Sequence, residues 1–103
     1  MFSQKEEKVY TIQKYILSHL YEKVTLEELA NLFQLSEWQC YRLFKEVAGM
    51  SIADYIRRAK LSEAARQLKE EHKKVLDVAL DAGYDSPEGF QRAFFSEFGC
   101  NPA

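Results

Sequence analysis

Apolar residues recur at helical spacing along almost the whole chain. Val9, Ile12, Ile16 and Leu20, with Tyr15 and Leu17 beside them, predict one buried face on a first helix from about Lys5 to Tyr21. Thr25 predicts the N-cap of a short second helix, with Glu28 three residues on as its capping-box partner. Leu26, Leu29, Ala30 and Phe33 are its buried stripe, and Gln34-Leu35 form a tight turn. Ser36 is a second N-cap, opening a helix that ends at Gly49, a residue suited to the left-handed position after a helix. Ser51 opens the longest segment, with a stripe of Ile52, Tyr55, Ile56, Ala59, Leu61, Ala64, Ala65 and Leu68 reaching to about Glu71. Val75 to Ala82 is a further short amphipathic piece stopped by Gly83. Ser86-Pro87 then starts a last helix through Phe98, with Gly99 behind it. Val75–Leu80 passes locally for a strand, but the repeat described next places it on a helix. The expected fold class is all-α.

Sliding the chain by 50 positions realigns its punctuation. Ser36 falls on Ser86, Arg42 on Arg92, Phe44 on Phe94 and Gly49 on Gly99, whereas Ala30 matches Ala79 at an offset of 49. The second turn is therefore one residue longer than the first. Agreement between matched residues and matched caps, turns and stops predicts a duplicated helix-turn-helix joined by a long helix. The expected division is 1–50 for the first unit, 51–74 for the linker helix and 75–103 for the second unit.

The helix after Ser36 has two distinct faces. Cys40, Leu43, Phe44 and Val47 follow i, i+3, i+4, i+7 and read as the core side. Starting two residues earlier, the same spacing collects Trp38, Tyr41, Arg42 and Lys45. Such a face suits a DNA major groove, where Arg reaches guanine edges, Lys meets phosphate and aromatics touch thymine methyls or sugars. Trp38 and Tyr41 filling a seam against a neighbouring helix fits the spacing equally well. Length adds a separate argument: the bridging helix is roughly 30 Å long, close to the roughly 34 Å of one DNA turn.

Charge complicates this picture. Fourteen Lys and Arg stand against 16 Asp and Glu, giving a net charge of −2 where a nucleic-acid binder usually carries a basic footprint. The distribution is uneven. Residues 52–74 hold seven cations (Arg57, Arg58, Lys60, Arg66, Lys69, Lys73, Lys74) against four acids, and residues 75–87 hold only Asp77, Asp81 and Asp85. A locally positive segment thus lies inside an acidic chain. No apolar stretch approaches the roughly 20 residues of a membrane span, and the polar start carries no secretory signal. Cys40 and Cys100, 60 positions apart, form neither a disulfide framework nor a zinc signature, so a reducing cytoplasmic setting fits.

On these residues the chain resembles the DNA-binding domain of the AraC/XylS family of bacterial transcription regulators, from about Val9 to Pro102. The first unit carries Leu26-x-x-Leu29-Ala30, Ser36, Arg42-Leu43-Phe44-Lys45, Gly49 and Tyr55-Ile56. The second carries Val78-Ala79, Gly83-Tyr84, Phe90-x-Arg92-x-Phe94, Phe98-Gly99 and Pro102. The run Ser36–Arg42 is especially similar to the MarA/SoxS/Rob branch. The resemblance implies DNA contacts from Ser36, Trp38, Gln39, Tyr41, Arg42 and Lys45, and in the second unit from Ser86, Glu88, Gln91 and Arg92, with Gly89 at a matching position. The departures are Lys60 for the usual linker Arg, Phe94-Phe95 for the usual Phe-Lys, the acid at Glu88 and the missing side chain at Gly89. Weaker DNA binding by the second unit is expected. The family pattern continues past Pro102 to a Tyr-Arg pair absent here, and similarity to the Rob arrangement places any effector-binding domain after residue 103.

His19 and His72 lack ligand partners at metal spacing and read as surface histidines; Cys40 reads as a small buried hydrophobe. No phosphate loop, nucleophile elbow or paired His and acid supports catalysis, so no enzyme activity, cofactor or metal is expected. The expected function is sequence-specific binding of double-stranded DNA in transcription activation, with RNA polymerase as a candidate partner and no membrane association. The competing expectation is a helical protein-interaction or effector-coupling module that no longer binds DNA, favoured by the net charge, Glu88 and Phe95.

Overall fold

The computed structural model describes residues 3–102. Among them run α1 (Gln4–Ser18), α2 (Leu26–Leu32), α3 (Glu37–Ala48), α4 (Ile52–Glu70), α5 (Val75–Asp81) and α6 (Pro87–Phe98), with no strand. The fold is all-α, as the periodicity predicts. The chain divides into two compact units between Ile56 and Arg57.

In the first unit α3 packs on α1 and α2. Val9, Ile12 and Ile16 of α1, Leu29 and Ala30 of α2, Cys40 and Phe44 of α3, and Ile52 at the start of α4 form its core. Phe44 is wholly buried and meets the edge of Tyr55 at 5.5 Å between ring centroids. In the second unit Leu61 and Ala64 of α4 cover Val78, Ala79, Phe90 and Phe94. There Tyr84, Phe90, Phe94 and Phe98 form a continuous run of ring contacts at 5.6, 5.7 and 4.6 Å. Burying Phe44 and Phe90, both wholly enclosed, contributes about 1.5–3 kcal/mol each. α4 thus supplies side chains to both cores.

The duplication is geometric as well as sequential. α2 and α5 correspond at an offset of 49, α3 and α6 at 50. Both turns close identically: the Leu35 N–H donates to the Ala30 carbonyl at 2.8 Å, and the Tyr84 N–H to the Ala79 carbonyl at 3.0 Å. Gln34 and Gly83 occupy the left-handed corner, with φ of 58° and 91°. Asp85 is the extra residue of the second turn. Gly49 and Gly99 end α3 and α6 in the left-handed region, at φ 78° and 74°.

Several local expectations differ from the fold. α1 stops at Ser18, three residues short of Tyr21, where His19 donates its backbone N–H to the Ile16 carbonyl. Leu17, predicted beside the buried face, is 51% exposed. His19 is half-buried rather than on the surface: its ring stacks on Tyr15 at 3.9 Å, and Nδ1 lies 2.7 Å from the Tyr15 carbonyl. Thr25 accepts from the Glu28 N–H, but the Glu28 carboxylate takes the Tyr15 hydroxyl at 2.6 Å. Only half of that capping box forms, because a tertiary partner competes successfully for the acid. Val47, assigned to the core side of α3, is 36% exposed near the helix end.

Candidate nucleic-acid interface

Two short hydrogen bonds set the start of α3. The Ser36 hydroxyl accepts from the Gln39 N–H at 3.0 Å, and the Gln39 side-chain oxygen accepts from the Ser36 N–H at 2.9 Å. This reciprocal box satisfies donors that the first helical turn leaves open. Gln39 therefore commits one lone pair of its carbonyl oxygen to the cap and turns its NH2 to an outside partner.

Past that cap, Trp38, Tyr41, Arg42 and Lys45 share one face, turned away from Cys40 and Phe44. Trp38 is 65% exposed, which excludes the seam reading for this ring. Tyr41 is half-buried and lines a small apolar recess with Val24, Leu26, Ile52 and Ile56. From this anchored ring the others are arranged. Trp38 stacks on Tyr41 at 6.0 Å and 15°, the Arg42 guanidinium lies 5.7 Å from the Trp38 centroid, and Lys45 Nζ 5.7 Å from that of Tyr41. Such cation–π contacts restrain long side chains, and Lys45 Nζ also donates to the Tyr41 hydroxyl at 3.5 Å, leaving its other donors open. Among the described residues neither Arg42 nor Lys45 makes an ion pair.

α6 repeats the scaffold with different chemistry. Ser86 accepts from the Gly89 N–H at 3.2 Å, and Pro87 holds the first helical position. The offset of 50 sets Trp38 against Glu88, Tyr41 against Gln91, Arg42 against Arg92 and Lys45 against Phe95. Glu88, Gln91, Arg92, Phe95, Ser96 and Asn101 line one open, shallow concavity. Gly89, in contrast, is half-buried, and a β-carbon there would lie 3.4 Å from Ser86 Oγ. Formal charge is +2 on the first face (Arg42, Lys45) and zero on the second (Arg92 against Glu88).

Three cations of the basic segment, Arg58, Arg66 and Lys73, pair with carboxylates within the chain. Arg66 donates to Glu63 at 2.7 and 2.9 Å, to Glu70 at 3.3 Å and to Glu71 at 2.6 Å, and Lys73 also meets Glu71 at 3.4 Å. The hydrogen bond from Arg66 holds the Glu71 carboxyl below its ordinary range. Arg58 pairs with Glu97 at 3.1 Å. These cations are already paired with carboxylates, whereas among the described residues Arg42, Lys45 and Arg92 are not. Among the described residues no cluster of His, Cys, Asp and Glu could hold a metal ion.

The profile of a helix-turn-helix domain family matches residues 29–103. The chain is 35% identical over 82 residues to the probable transcription factor PqrA of Proteus vulgaris, covering 80% of itself and 67% of that protein. It is 30% identical over 89 residues to the transcriptional activator AarP of Providencia stuartii, covering 86% and 66%. The chain belongs to the AraC-type family of helix-turn-helix DNA-binding domains. The C-terminal domain of AraT, a response regulator from Geobacillus stearothermophilus, superposes with a TM-score of 0.83 at 26% identity, over 97% of this chain and 84% of that one. The DNA-binding domain of AdpA, solved with a target DNA, gives 0.78 at 25% identity, over 97% and 87%. The chain spans about two thirds of the length of PqrA and AarP. This AraC-type domain belongs to a family of transcription factors, not enzymes.

Ser96 and Asn101 were not among the sequence-derived site residues of the AraC-type domain. Ser96 follows Arg92 by four positions and was legible from helical spacing. Asn101 lies beyond Gly99, and only the folded turn brings it to the same surface as Glu88 and Gln91.

Proposed function

We propose that this domain binds double-stranded DNA sequence-specifically by laying α3 and α6 in major grooves, as the DNA-binding part of a bacterial transcription activator. The observation that carries this reading is the exposed array on α3, in which Trp38 and Tyr41 restrain two cations that no carboxylate among the described residues occupies. In this assignment Arg42 reads a guanine edge, Lys45 meets phosphate, and Trp38 and Tyr41 pack on methyls or sugars. The Gln39 amide donates to the duplex, and the Ser36 and Ser86 hydroxyls, whose oxygens already cap their helices, donate to phosphate. Arg92 and Gln91 read bases on the second face. The name of AarP, an activator, supports activation. The reading further assigns RNA polymerase as partner, a separate effector-binding domain in the longer protein and action in the cytoplasm.

The test is Arg42→Ala against a duplex selected from a random pool. We expect a loss of about 1–3 kcal/mol on the selected duplex and a much smaller one on random DNA, because a bidentate guanine contact is sequence-dependent. Equal losses on both would reduce Arg42 to a phosphate contact. A log–log salt slope near zero on any duplex would instead favour a protein-interaction module.

A further inference from the structure

Glu88 occupies a position that electrostatics alone would forbid. It stands at the exposed start of the second reading face, where the repeat places Trp38 in the first. Arg92 lies one helical turn on, at the i+4 spacing that commonly pairs Glu with Arg. Yet the two do not meet within 4 Å, and among the described residues neither has another ion-pair partner. Both charges are thus presented outward from one concavity, with Gln91 between them and Phe95 a turn beyond.

A carboxylate has few places to go on a duplex. Phosphates repel it, and the floor of the major groove is mostly acceptors: guanine O6 and N7, adenine N7, thymine O4. Two donors remain, the exocyclic amines of cytosine and adenine. Adenine carries N7 beside its amine, so a carboxylate there faces a lone pair, and the bidentate fit belongs to an amide. Cytosine offers its N4 amine with only a C5–H as neighbour. Without an ion-pair partner among the described residues, the Glu88 carboxylate matches cytosine alone. Phe95, 54% exposed where Lys45 stands in the first unit, takes a backbone cation away from the same face. The second face is therefore poor in charge attraction and rich in groups that report base identity. Weak binding does not entail weak discrimination.

We propose that Glu88 is a specificity-determining residue that accepts a hydrogen bond from the N4 amine of a cytosine, at or beside the G·C pair engaged by Arg92. This rests on the DNA-binding reading above and gives α6 a role different from that of α3: it selects among sites more than it adds affinity.

The experiment selects duplexes from a random pool with the full chain and with Glu88→Ala, then measures both proteins on the wild-type winner. The same duplex is also used with the conserved cytosine replaced by its analogue lacking the 4-amino group, and random DNA serves as the reference. Circular dichroism and a thermal melt establish that the variant is folded. Wild type is expected to enrich a cytosine at one position of the second half-site and to lose roughly tenfold on the amine-free duplex, the scale of one good base contact. Glu88→Ala is expected to lose that position from its selected consensus, to be indifferent to the amine, and to bind random DNA a few-fold more tightly. The proposal is overturned if the variant tightens on every duplex alike, which would leave Glu88 as mere repulsion, or if wild type is indifferent to the amine. Failure of the DNA-binding reading looks different: no sequence is enriched in either half-site, and Arg42→Ala changes nothing.

Discussion

Gln34 and Gly83 hold the same corner of the two turns, and only one of them suits it. A left-handed conformation costs an L-residue about 1–2 kcal/mol, while glycine gives back about 0.5–1 kcal/mol in the unfolded chain. The Gln34 side chain is exposed, so replacing it sacrifices no packing. Gln34→Gly is expected to stabilise the first unit by about 0.5–1 kcal/mol, read from the denaturant midpoint. Gly83→Ala is expected to destabilise by about 1 kcal/mol or more through backbone strain, since its nearest neighbour, Lys60 Nζ, would lie an unobstructive 3.9 Å from the new β-carbon. An unchanged midpoint for both variants would mean that neither corner is held in the left-handed conformation.

The caps differ between otherwise superposable elements. Thr25 caps α2 with its hydroxyl, but the matching residue before α5 is Lys74, which makes no side-chain cap. α5 is only seven residues long, so open N–H groups are a large fraction of its backbone. Lys74→Thr is expected to raise stability by about 1 kcal/mol and to shift the thermal midpoint upward, without altering base preference. A lower midpoint would show that the Lys74 ammonium contributes something a cap does not replace. The elements themselves were largely legible. Ser36, Ser86, Gly49 and Gly99 mark ends that the structure keeps, because caps and left-handed stops are local chemistry within one turn of the chain. The end of α1 was not legible, since His19 folds back on Tyr15 within one turn while Tyr15 takes Glu28 from α2, a competition that spacing cannot rank.

For the whole molecule, the number of cations matters less than which of them are already spoken for. Arg66 and Arg58 are held by the chain's own carboxylates, so counterions are not released when DNA approaches them. Lys45 has no such partner. Lys45→Ala is expected to flatten the log–log salt slope by about one, whereas Arg66→Gln leaves it unchanged on the same duplex. Equal flattening by the two variants would mean that the intrachain pairs open on binding. This partition also bears on how a chain of net charge −2 presents a cationic face: Glu63, Glu70, Glu71 and Glu97 pair with linker cations, and among the described residues no acid pairs with Arg42 or Lys45.

The number and type of helices, the duplication with its one-residue longer turn and the two faces of α3 follow from the amino-acid order alone. All of these follow from periodicity and from residues that act on their immediate neighbours in the chain. Only the tertiary structure decided that Trp38 stands in solvent, that an anchored Tyr41 aligns it with Arg42 and Lys45, and that Glu88 and Arg92 stay apart. It also decided that Arg66 is saturated, Leu17 exposed and Asn101 drawn to the face of α6. The reason is the same in each case. A residue's type and spacing specify what it can pair with, but competition among partners brought together by packing selects the pair that forms.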